Sequence, residues 1–289
     1  MVLNYITWNV DPVALSLGPL EIRWYGICWA VGFLLGYLVM SKMYKHEKMP
    51  EWSMDSLLIY MLVSTVVGAR LGHCLFYEPE YYLAHPVEML KIWEGGLASH
   101  GGAIGILLGL LLYVRNFNKS TKKAKGEKTH ITYLWLLDRV VVPVCLVGSL
   151  IRLGNVFNSE IYGTPTTLPW GFVFVRGNER FLDADGQLLP CHPTGLYEAF
   201  FCLLTMGILL WMYYKRNVGD KRPGLMFGTF LVIVFGSRIA IEFLKNVQVA
   251  FEKNMTFDMG QWLSVPFVIV GIVMIVRSFK VNTSSGNRS

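Results

Sequence analysis

Residues 140–160 read Val-Val-Val-Pro-Val-Cys-Leu-Val-Gly-Ser-Leu-Ile and then, from Arg152 onward, Arg-Leu-Gly-Asn-Val-Phe-Asn-Ser-Glu. The first part is typical of a membrane-spanning helix, whereas the second places an arginine, two amides and a carboxylate at its end. Charged groups are costly inside a bilayer, and those found there usually face a protein interior or a wet cavity and carry function. The stretch therefore predicts a membrane protein and indicates where its site lies.

The composition of the 289-residue chain agrees with this assignment. It is 53% hydrophobic and 16% charged, with a mean hydropathy of +0.43, whereas a soluble domain has about 25% charged residues. We expect an all-α polytopic membrane protein whose residues 1–289 form a single integral membrane domain. Seven apolar segments are long enough to cross a hydrocarbon core of ~30 Å: 20–43, 54–77, 97–115, 133–152, 194–214, 224–244 and 261–279.

Basic residues indicate the orientation of the chain. They concentrate in four clusters, within 42–48, 115–128, 215–222 and 277–288, which fall on one side of a seven-span arrangement. Because cytoplasmic connections carry an excess of Lys and Arg, we expect a cytoplasmic C-terminus and an external, periplasmic N-terminus. This placement also argues against a nucleic-acid partner, despite the net charge of +6.

The longest external connection spans 155–192, and we expect it to form a small β-containing head. Residues 171–175, Gly-Phe-Val-Phe-Val, predict a short strand, and residues 183–186, Asp-Ala-Asp-Gly, predict a turn. Residues 281–289 are expected to form a disordered cytoplasmic tail. Four glycines of the third span have the spacing that lets membrane helices approach closely: Gly101, Gly102, Gly105 and Gly109.

On this topology, polar residues of several spans fall in the outer leaflet. Arg152 ends the fourth span, His100 begins the third, and Tyr25 begins the first. Arg238 and Glu242 lie four residues apart on the sixth span, so they share one helical face. Structural explanations stay open for them individually, because Arg238 and Glu242 can form an internal ion pair and His100 can be a packing histidine.

The residue types suggest an anionic head group as the ligand. A guanidinium group has a planar fork of donors that suits phosphate, and it keeps its charge. The chain lacks the motifs of hydrolases and metalloproteases, and its five cysteines show no paired or metal-ligating spacing. We therefore expect no metal, no cofactor and no activated nucleophile of the protein's own, so that a substrate supplies the nucleophile.

Two other classes of function use the same residues. A transporter or channel would use the polar cavity as a permeation path, but such proteins often have repeated halves and no repeat is visible in this sequence. A non-catalytic lipid-binding scaffold would need the arginines but not His100.

The chain resembles the bacterial prolipoprotein diacylglyceryl transferases over nearly its whole length. Five motifs carry the resemblance: Arg23-Trp-Tyr-Gly26, Gly95-Gly-Leu-Ala-Ser-His-Gly-Gly102, Arg152-Leu-Gly-Asn-x-x-Asn-x-Glu160, His192-Pro-Thr-x-Leu-Tyr-Glu198 and Arg238-x-x-x-Glu242. The resemblance implies transfer of diacylglyceryl from phosphatidylglycerol to a lipobox cysteine at the outer face of the bacterial inner membrane, with release of glycerol 1-phosphate. The implied partners are phosphatidylglycerol, prolipoprotein signal peptides and membrane lipids.

This activity suggests a role for each site residue. By hypothesis Arg152 and Arg238 hold the phosphate, and His100 deprotonates the incoming thiol. The expected substrate-binding residues complete the set: Tyr25, Asn155, Asn158, Glu160 and Glu242. Two positions depart from the family pattern, because Phe235 stands near a usual tyrosine and Gly195 stands at a usual glutamine.

Overall fold

The computed structural model describes residues 5–18, 20–92, 95–96, 98–120, 130–246 and 258–285. The helices are α1 (Trp24–His46), α2 (Glu51–Phe76), α3 (Pro79–Ala84), α4 (Ser99–Ser120), α5 (Tyr133–Phe157), α6 (Thr194–Arg216), α7 (Val218–Lys221), α8 (Leu225–Glu242) and α9 (Met259–Ser285). The strands are β1 (Ile6–Trp8), β2 (Val13–Leu17), β3 (Leu20–Arg23) and β4 (Phe172–Phe174), and Pro86–Leu90 forms a 3-10 turn. The chain forms two compact units: the first comprises residues 1–39 and 137–289, and the second comprises residues 40–136.

Among the described residues, seven helices are long and apolar enough to cross a membrane. They are α1, α2, α4, α5, α6, α8 and α9, and the sheets are small. This confirms the predicted fold class of an all-α polytopic membrane protein with little β-structure. Helix α5 continues to Phe157, beyond the predicted end at residue 152, so Arg152 and Asn155 lie inside the helix.

Two charged residues interrupt the apolar sequence of α5, and both are fully buried in the first unit. Asp138 accepts hydrogen bonds from the N–H groups of Gly224 (2.6 Å) and Phe227 (2.8 Å). Because the first N–H groups of a helix have no intrahelical partner, this carboxylate caps the beginning of α8. Arg139 donates to the carbonyl of Gly219 at 2.9 Å. Each charge therefore has a partner, which is why the segment can be helical.

Helices α2 and α4 pack closely in the second unit, as the glycine spacing predicted. A Cβ built on Gly72 would lie 2.6 Å from the Cα of Gly101. A Cβ on Gly105 would lie 2.9 Å from the Cα of Gly68. A Cβ on Gly102 would instead meet Ala69 at an ordinary 3.6 Å. Gly101 and Gly105 thus permit the close approach, whereas Gly102 is not needed for it.

The head of the first unit is a narrow ladder of backbone segments that are distant in sequence. Strand β1 pairs in parallel with β4, and Phe172 of β4 bridges to Cys191, which also bridges to Pro165. The ladder continues through a bridge between Gly163 and Lys245. The predicted strand at 171–175 is confirmed, although β1 was not predicted.

The predicted turn at 183–186 is also confirmed. The N–H of Gly186 bonds to the carbonyl of Asp183 at 3.1 Å, and Leu182 bridges to Leu188. Helix α9 continues to Ser285 and so enters the range 281–289. Residues 286–289 lie outside the described residues, and the disordered cytoplasmic tail stays a prediction.

Candidate active site

The polar run at the end of α5 is organised by the way this helix ends. The N–H of Glu160 bonds to the carbonyl of Asn155 (3.1 Å) and that of Ser159 to the carbonyl of Val156 (3.0 Å), which is the pattern of a Schellman motif. Ser159 has a φ of 53°, at the position where glycine is usual. The turn folds Glu160 back onto the helix, where its Oε1 accepts hydrogen bonds from Nδ2 of Asn155 (2.8 Å) and Nδ2 of Asn158 (3.2 Å).

Arg152 lies one turn earlier on α5 and joins this group to α6. Its Nη1 donates to Oδ1 of Asn155 at 3.3 Å, and its Nε forms an ion pair with Oε2 of Glu198. The side chain of Arg152 is 25% exposed, whereas that of Glu198 is 9% exposed. The guanidinium group is therefore held from two sides and still has accessible surface.

Lys245 connects this half of the site to the end of α8. Its Nζ lies 2.6 Å from Oε1 of Glu198 and 3.0 Å from Oε2 of Glu242. Glu242 in turn lies 4.0 Å from Nε of Arg238. The charges thus alternate in sign from Arg152 to Arg238, and each buried carboxylate has the cationic partners that a buried charge needs.

Arg152 and Arg238 line one cavity of about 160 Å³ between α5, α6 and α8. The side chain of Arg238 is 39% exposed, and within the described part of the chain its Nε makes no hydrogen bond. Much of the remaining wall is apolar and includes Val144, Cys145, Phe230, Val234 and Phe235. The structure therefore brings the two predicted arginines to the same cavity, with cationic donors at one side and apolar surface beside them.

Tyr25 packs on the same turn of α5. A Cβ built on Gly154 would lie 2.8 Å from Cδ2 of Tyr25, so the absence of a side chain at Gly154 makes room for the ring. The ring also meets Trp29 edge-on, with 6.4 Å between the centroids. Tyr25 thus lies beside the helical turn that carries Asn155.

His100 lies near the start of α4, in the second unit, and is exposed. Its Nε2 lies 3.0 Å from the hydroxyl of Tyr77, and the two rings are stacked with 6.0 Å between their centroids. Tyr77 also stacks on His73, whose Nε2 lies 3.7 Å from Oε1 of Glu78. His100 is therefore part of an aromatic stack that belongs to the second unit, whereas the other predicted site residues belong to the first.

Arg70 organises the connection between α2 and α4 in the second unit. It is 4% exposed, and its guanidinium group donates to the carbonyls of Glu88 (2.7 Å), Met89 (3.0 Å) and Gly95 (2.6 Å). The ring of Tyr82 covers it at 5.1 Å from the centroid. Arg70 is thus a structural cation that fixes the backbone leading to α4.

Burial changes the acid–base behaviour of the head. It raises the pKa of Cys191 to about 11 and the pKa of Tyr162 to about 12, and the hydroxyl of Tyr162 donates to the carbonyl of Glu179. Burial lowers the pKa of His192, whose Nδ1 lies 3.3 Å from the hydroxyl of Tyr197. Because a thiolate is the reactive form of cysteine, Cys191 is a protonated, unreactive thiol at neutral pH.

Sequence reasoning did not assign Glu198 or Lys245 to the site. A carboxylate inside a membrane helix needs a cation, and Glu198 met that description. Lys245 follows Glu242 by three residues, a spacing at which helical side chains are neighbours. These two signals would have identified both residues as candidates.

Seven apolar helices and a cavity that combines two guanidinium groups with apolar walls define a multi-pass membrane protein whose site suits an anionic amphiphile. The sequence profile of the prolipoprotein diacylglyceryl transferases matches residues 12–277. The chain belongs to this family, as the resemblance of its motifs predicted.

Relatives with established names are similar over nearly the whole chain. The phosphatidylglycerol–prolipoprotein diacylglyceryl transferase of Chloroherpeton thalassium is 45% identical over 277 residues, which cover 96% of each chain. That of Tolumonas auensis is 47% identical over 273 residues, which cover 94% of this chain and 97% of the relative. That of Bacteroides fragilis is 38% identical over 280 residues, with 92% and 93% covered.

Proposed function

We propose that this protein transfers the sn-1,2-diacylglyceryl group from phosphatidylglycerol to the lipobox cysteine thiol of prolipoproteins. The products are a thioether-linked prolipoprotein and glycerol 1-phosphate, and the reaction is the first step of bacterial lipoprotein maturation. The observation that carries the proposal is the pair of guanidinium groups, Arg152 and Arg238, on one partly apolar cavity. The names of the relatives agree with this pair of substrates.

The cavity suits the two chemical halves of phosphatidylglycerol. Arg152 and Arg238 offer charge-assisted hydrogen bonds to the phosphate, and a guanidinium fork matches its oxygens in geometry. The apolar wall that includes Phe230 and Phe235 suits the beginning of the acyl chains. The polar group of Asn155, Asn158 and Glu160 supplies neutral and acidic hydrogen-bonding partners for the glycerol hydroxyls.

The reaction needs electrostatic stabilisation more than it needs a nucleophile from the protein. The thiolate of the substrate attacks the diacylglyceryl carbon that bears the phosphate ester, an S–C bond forms, and the C–O bond breaks. The electron pair of that bond leaves on the phosphate oxygen, so negative charge grows on the leaving group. Preorganised cations aimed at such a charge are the largest single source of catalysis in many enzymes, and Arg152 and Arg238 take this role.

His100 is the proposed acceptor of the thiol proton. An imidazole accepts a proton near neutral pH, and the contact with Tyr77 occupies its Nε2 at 3.0 Å. When Nε2 carries the hydrogen and donates it to the hydroxyl of Tyr77, Nδ1 is the nitrogen that accepts the proton from the substrate.

The topology follows from the same proposal. The protein resides in the bacterial inner membrane with a periplasmic N-terminus, a cytoplasmic C-terminus and the head at 155–192 outside. The basic clusters within 115–128 and 215–222 support this orientation. Single cysteines placed in these two clusters in a cysteine-free background should react with an impermeant thiol reagent only after the inner membrane has been opened.

One assay tests the proposed reaction. Purified protein is mixed with phosphatidylglycerol and a lipobox peptide in the presence of EDTA, and glycerol phosphate release and peptide mass are followed. We expect stoichiometric release with a peptide mass increase equal to one diacylglyceryl group. A peptide with serine in place of cysteine, and a zwitterionic phosphatidylethanolamine substrate, serve as controls without product. A wild-type protein that binds the lipid but releases no glycerol phosphate would contradict the proposal and favour a scaffold or a transporter.

A further inference from the structure

The alternating charges of Arg152, Glu198, Lys245, Glu242 and Arg238 form one cluster. Lys245 is its most buried charge and has two carboxylate partners. Its side chain is 4% exposed, compared with 9% for Glu198 and 8% for Glu242. Within the described part of the chain it does not line the cavity that Arg152 and Arg238 share. Lys245 can therefore influence a bound substrate only through Glu198 and Glu242.

The end of α8 and the head ladder together fix the backbone of this lysine. The N–H of Lys245 bonds to the carbonyl of Glu242 at 3.0 Å, and Gly163 of the head bridges to Lys245. On either side, the N–H of Thr164 bonds to the carbonyl of Leu244 at 2.8 Å, and Nδ2 of Asn246 donates to the carbonyl of Gly163 at 3.1 Å. The head ladder thus determines where the ammonium group of Lys245 lies.

Each carboxylate that Lys245 contacts also contacts one of the cavity arginines. Glu198 pairs with Arg152, and Glu242 lies 4.0 Å from Arg238. Without the ammonium group, two buried carboxylates would repel each other and would together offset both guanidinium charges. With Lys245 in place, one positive charge of the cluster remains in excess and is available to a phosphate.

We propose that Lys245 is a positioning residue for the reaction proposed above: it draws Glu198 and Glu242 together and so sets the spacing of Arg152 and Arg238 around the phosphate. This inference rests on the proposed function. The proposal also assigns a role to the head, because the head ladder fixes the position of Lys245 relative to α6 and α8.

The test compares variants of Lys245 in the full-length protein. Lys245→Met should lower kcat about 100-fold, since a displacement of about 1 Å in a preorganised site has an effect of that size. The KM for phosphatidylglycerol should change far less. The spacing of the cations affects the stabilisation of the charge that develops on the leaving group more than it affects binding of the lipid in the ground state. Lys245→Arg, which keeps the charge and the reach, should retain most of the wild-type kcat.

A matched control separates this role from the general effect of losing a lysine–glutamate pair. Lys91 forms a pair of the same i,i+3 spacing with Glu88, with 2.7 Å between Nζ and Oε2, and belongs to the second unit, whereas Lys245 belongs to the first. Lys91→Met should leave kcat and KM unchanged. All variants are compared after size-exclusion chromatography and thermal melting, and if Lys245→Met does not fold, Lys245→Gln takes its place with the same expected loss of kcat.

The outcomes are distinguishable. A folded Lys245→Met or Lys245→Gln protein with wild-type kcat would overturn the inference while the proposed function stands. A kcat loss that Lys245→Arg does not rescue would overturn the charge-based spacing as its cause. A wild-type protein that forms no lipidated peptide would overturn the proposed function, and the role of Lys245 with it.

Discussion

Arg70 and Arg152 are both arginines of membrane-spanning helices, yet their surroundings differ in kind. Arg70 is 4% exposed and donates to several backbone carbonyls of one connection. Arg152 is 25% exposed in its side chain, pairs with a carboxylate and an amide, and lines a cavity. The donors of Arg70 are consumed by the protein's own backbone, whereas Arg152 keeps surface for a ligand.

The difference leads us to expect that Arg70 is a structural cation and that Arg152 binds a ligand. The charge of the side chain does not decide it, because both residues are arginines of apolar, membrane-spanning helices, where a charge is costly. We expect the deciding feature to be whether part of the guanidinium group lines a cavity, as that of Arg152 does. The comparison therefore predicts that changes at Arg70 lower stability and changes at Arg152 lower activity.

The largest effect is expected for Arg152→Lys. Lysine keeps the charge but lacks the guanidinium fork, so kcat/KM should fall by about 100-fold or more, on the order of 3 kcal/mol, as for the loss of an oxyanion donor. Glycerol phosphate release measures it, with a melting curve as the control for folding. A variant that works at nearly the wild-type rate would place Arg152 with Arg70 among the structural cations.

Arg70→Met should act on stability. Removing the guanidinium group takes the donor away from several half-buried or exposed carbonyls, at a cost of about 1–3 kcal/mol for each one left unpaired, so the free energy of unfolding should fall by about 3 kcal/mol. The measurement is denaturant or thermal unfolding in detergent, with Lys91→Met, which changes a half-buried cation on the same connection, as the control. An unchanged melting temperature would show that the carbonyls find other partners and that Arg70 is not a structural cation.

The packing of α2 on α4 offers a paired test in the second unit. Gly101→Ala should lower stability by about 2 kcal/mol, a typical cost of overpacking, because a Cβ there would lie 2.7 Å from the Cα of Gly72. Gly102→Ala is the matched control and should be close to neutral, since its nearest neighbour would be at 3.6 Å. Equal melting temperatures of the two variants would contradict this account of the close approach.

Tyr77→Phe should have the smallest effect. It removes the hydroxyl 3.0 Å from Nε2 of His100 and keeps the stacked ring, so kcat should fall by about five-fold, the size of one neutral hydrogen bond. Tyr81→Phe, on the neighbouring exposed tyrosine, serves as the control. If Tyr77→Phe transfers lipid at the wild-type rate, the hydroxyl does not orient His100.

The fold class could be predicted because it depends on local signals. The seven apolar segments can be recognised as spans without knowing what they pack against, and the spacing of the glycines of α4 predicts a close contact. The strands β1, β2 and β3 could not be predicted in the same way. Strand β1 has only three residues and pairs with β4, more than half the chain away, so its stability comes from tertiary context and not from its own sequence.

The same difference between local signals and tertiary contacts applies to the candidate site. The sequence predicted Arg152, Asn155, Asn158 and Glu160 as site residues because they form one run, and the Schellman turn at Ser159 that joins them is local. Glu198 and Lys245 became candidate site residues only through contacts between α6, the head and the end of α8. A single sequence does not state which buried carboxylate meets which cation.

The central claim is that Arg152 and Arg238 act on one phosphate, and a double-mutant cycle tests it most directly. Arg152→Lys, Arg238→Lys and the double variant are assayed for glycerol phosphate release with phosphatidylglycerol and a lipobox peptide. If both guanidinium groups hold one phosphate, the double variant should lose clearly less than the product of the single losses, with a coupling of at least about 1 kcal/mol. Losses that multiply, with no coupling, would contradict the claim and assign the two arginines to separate tasks.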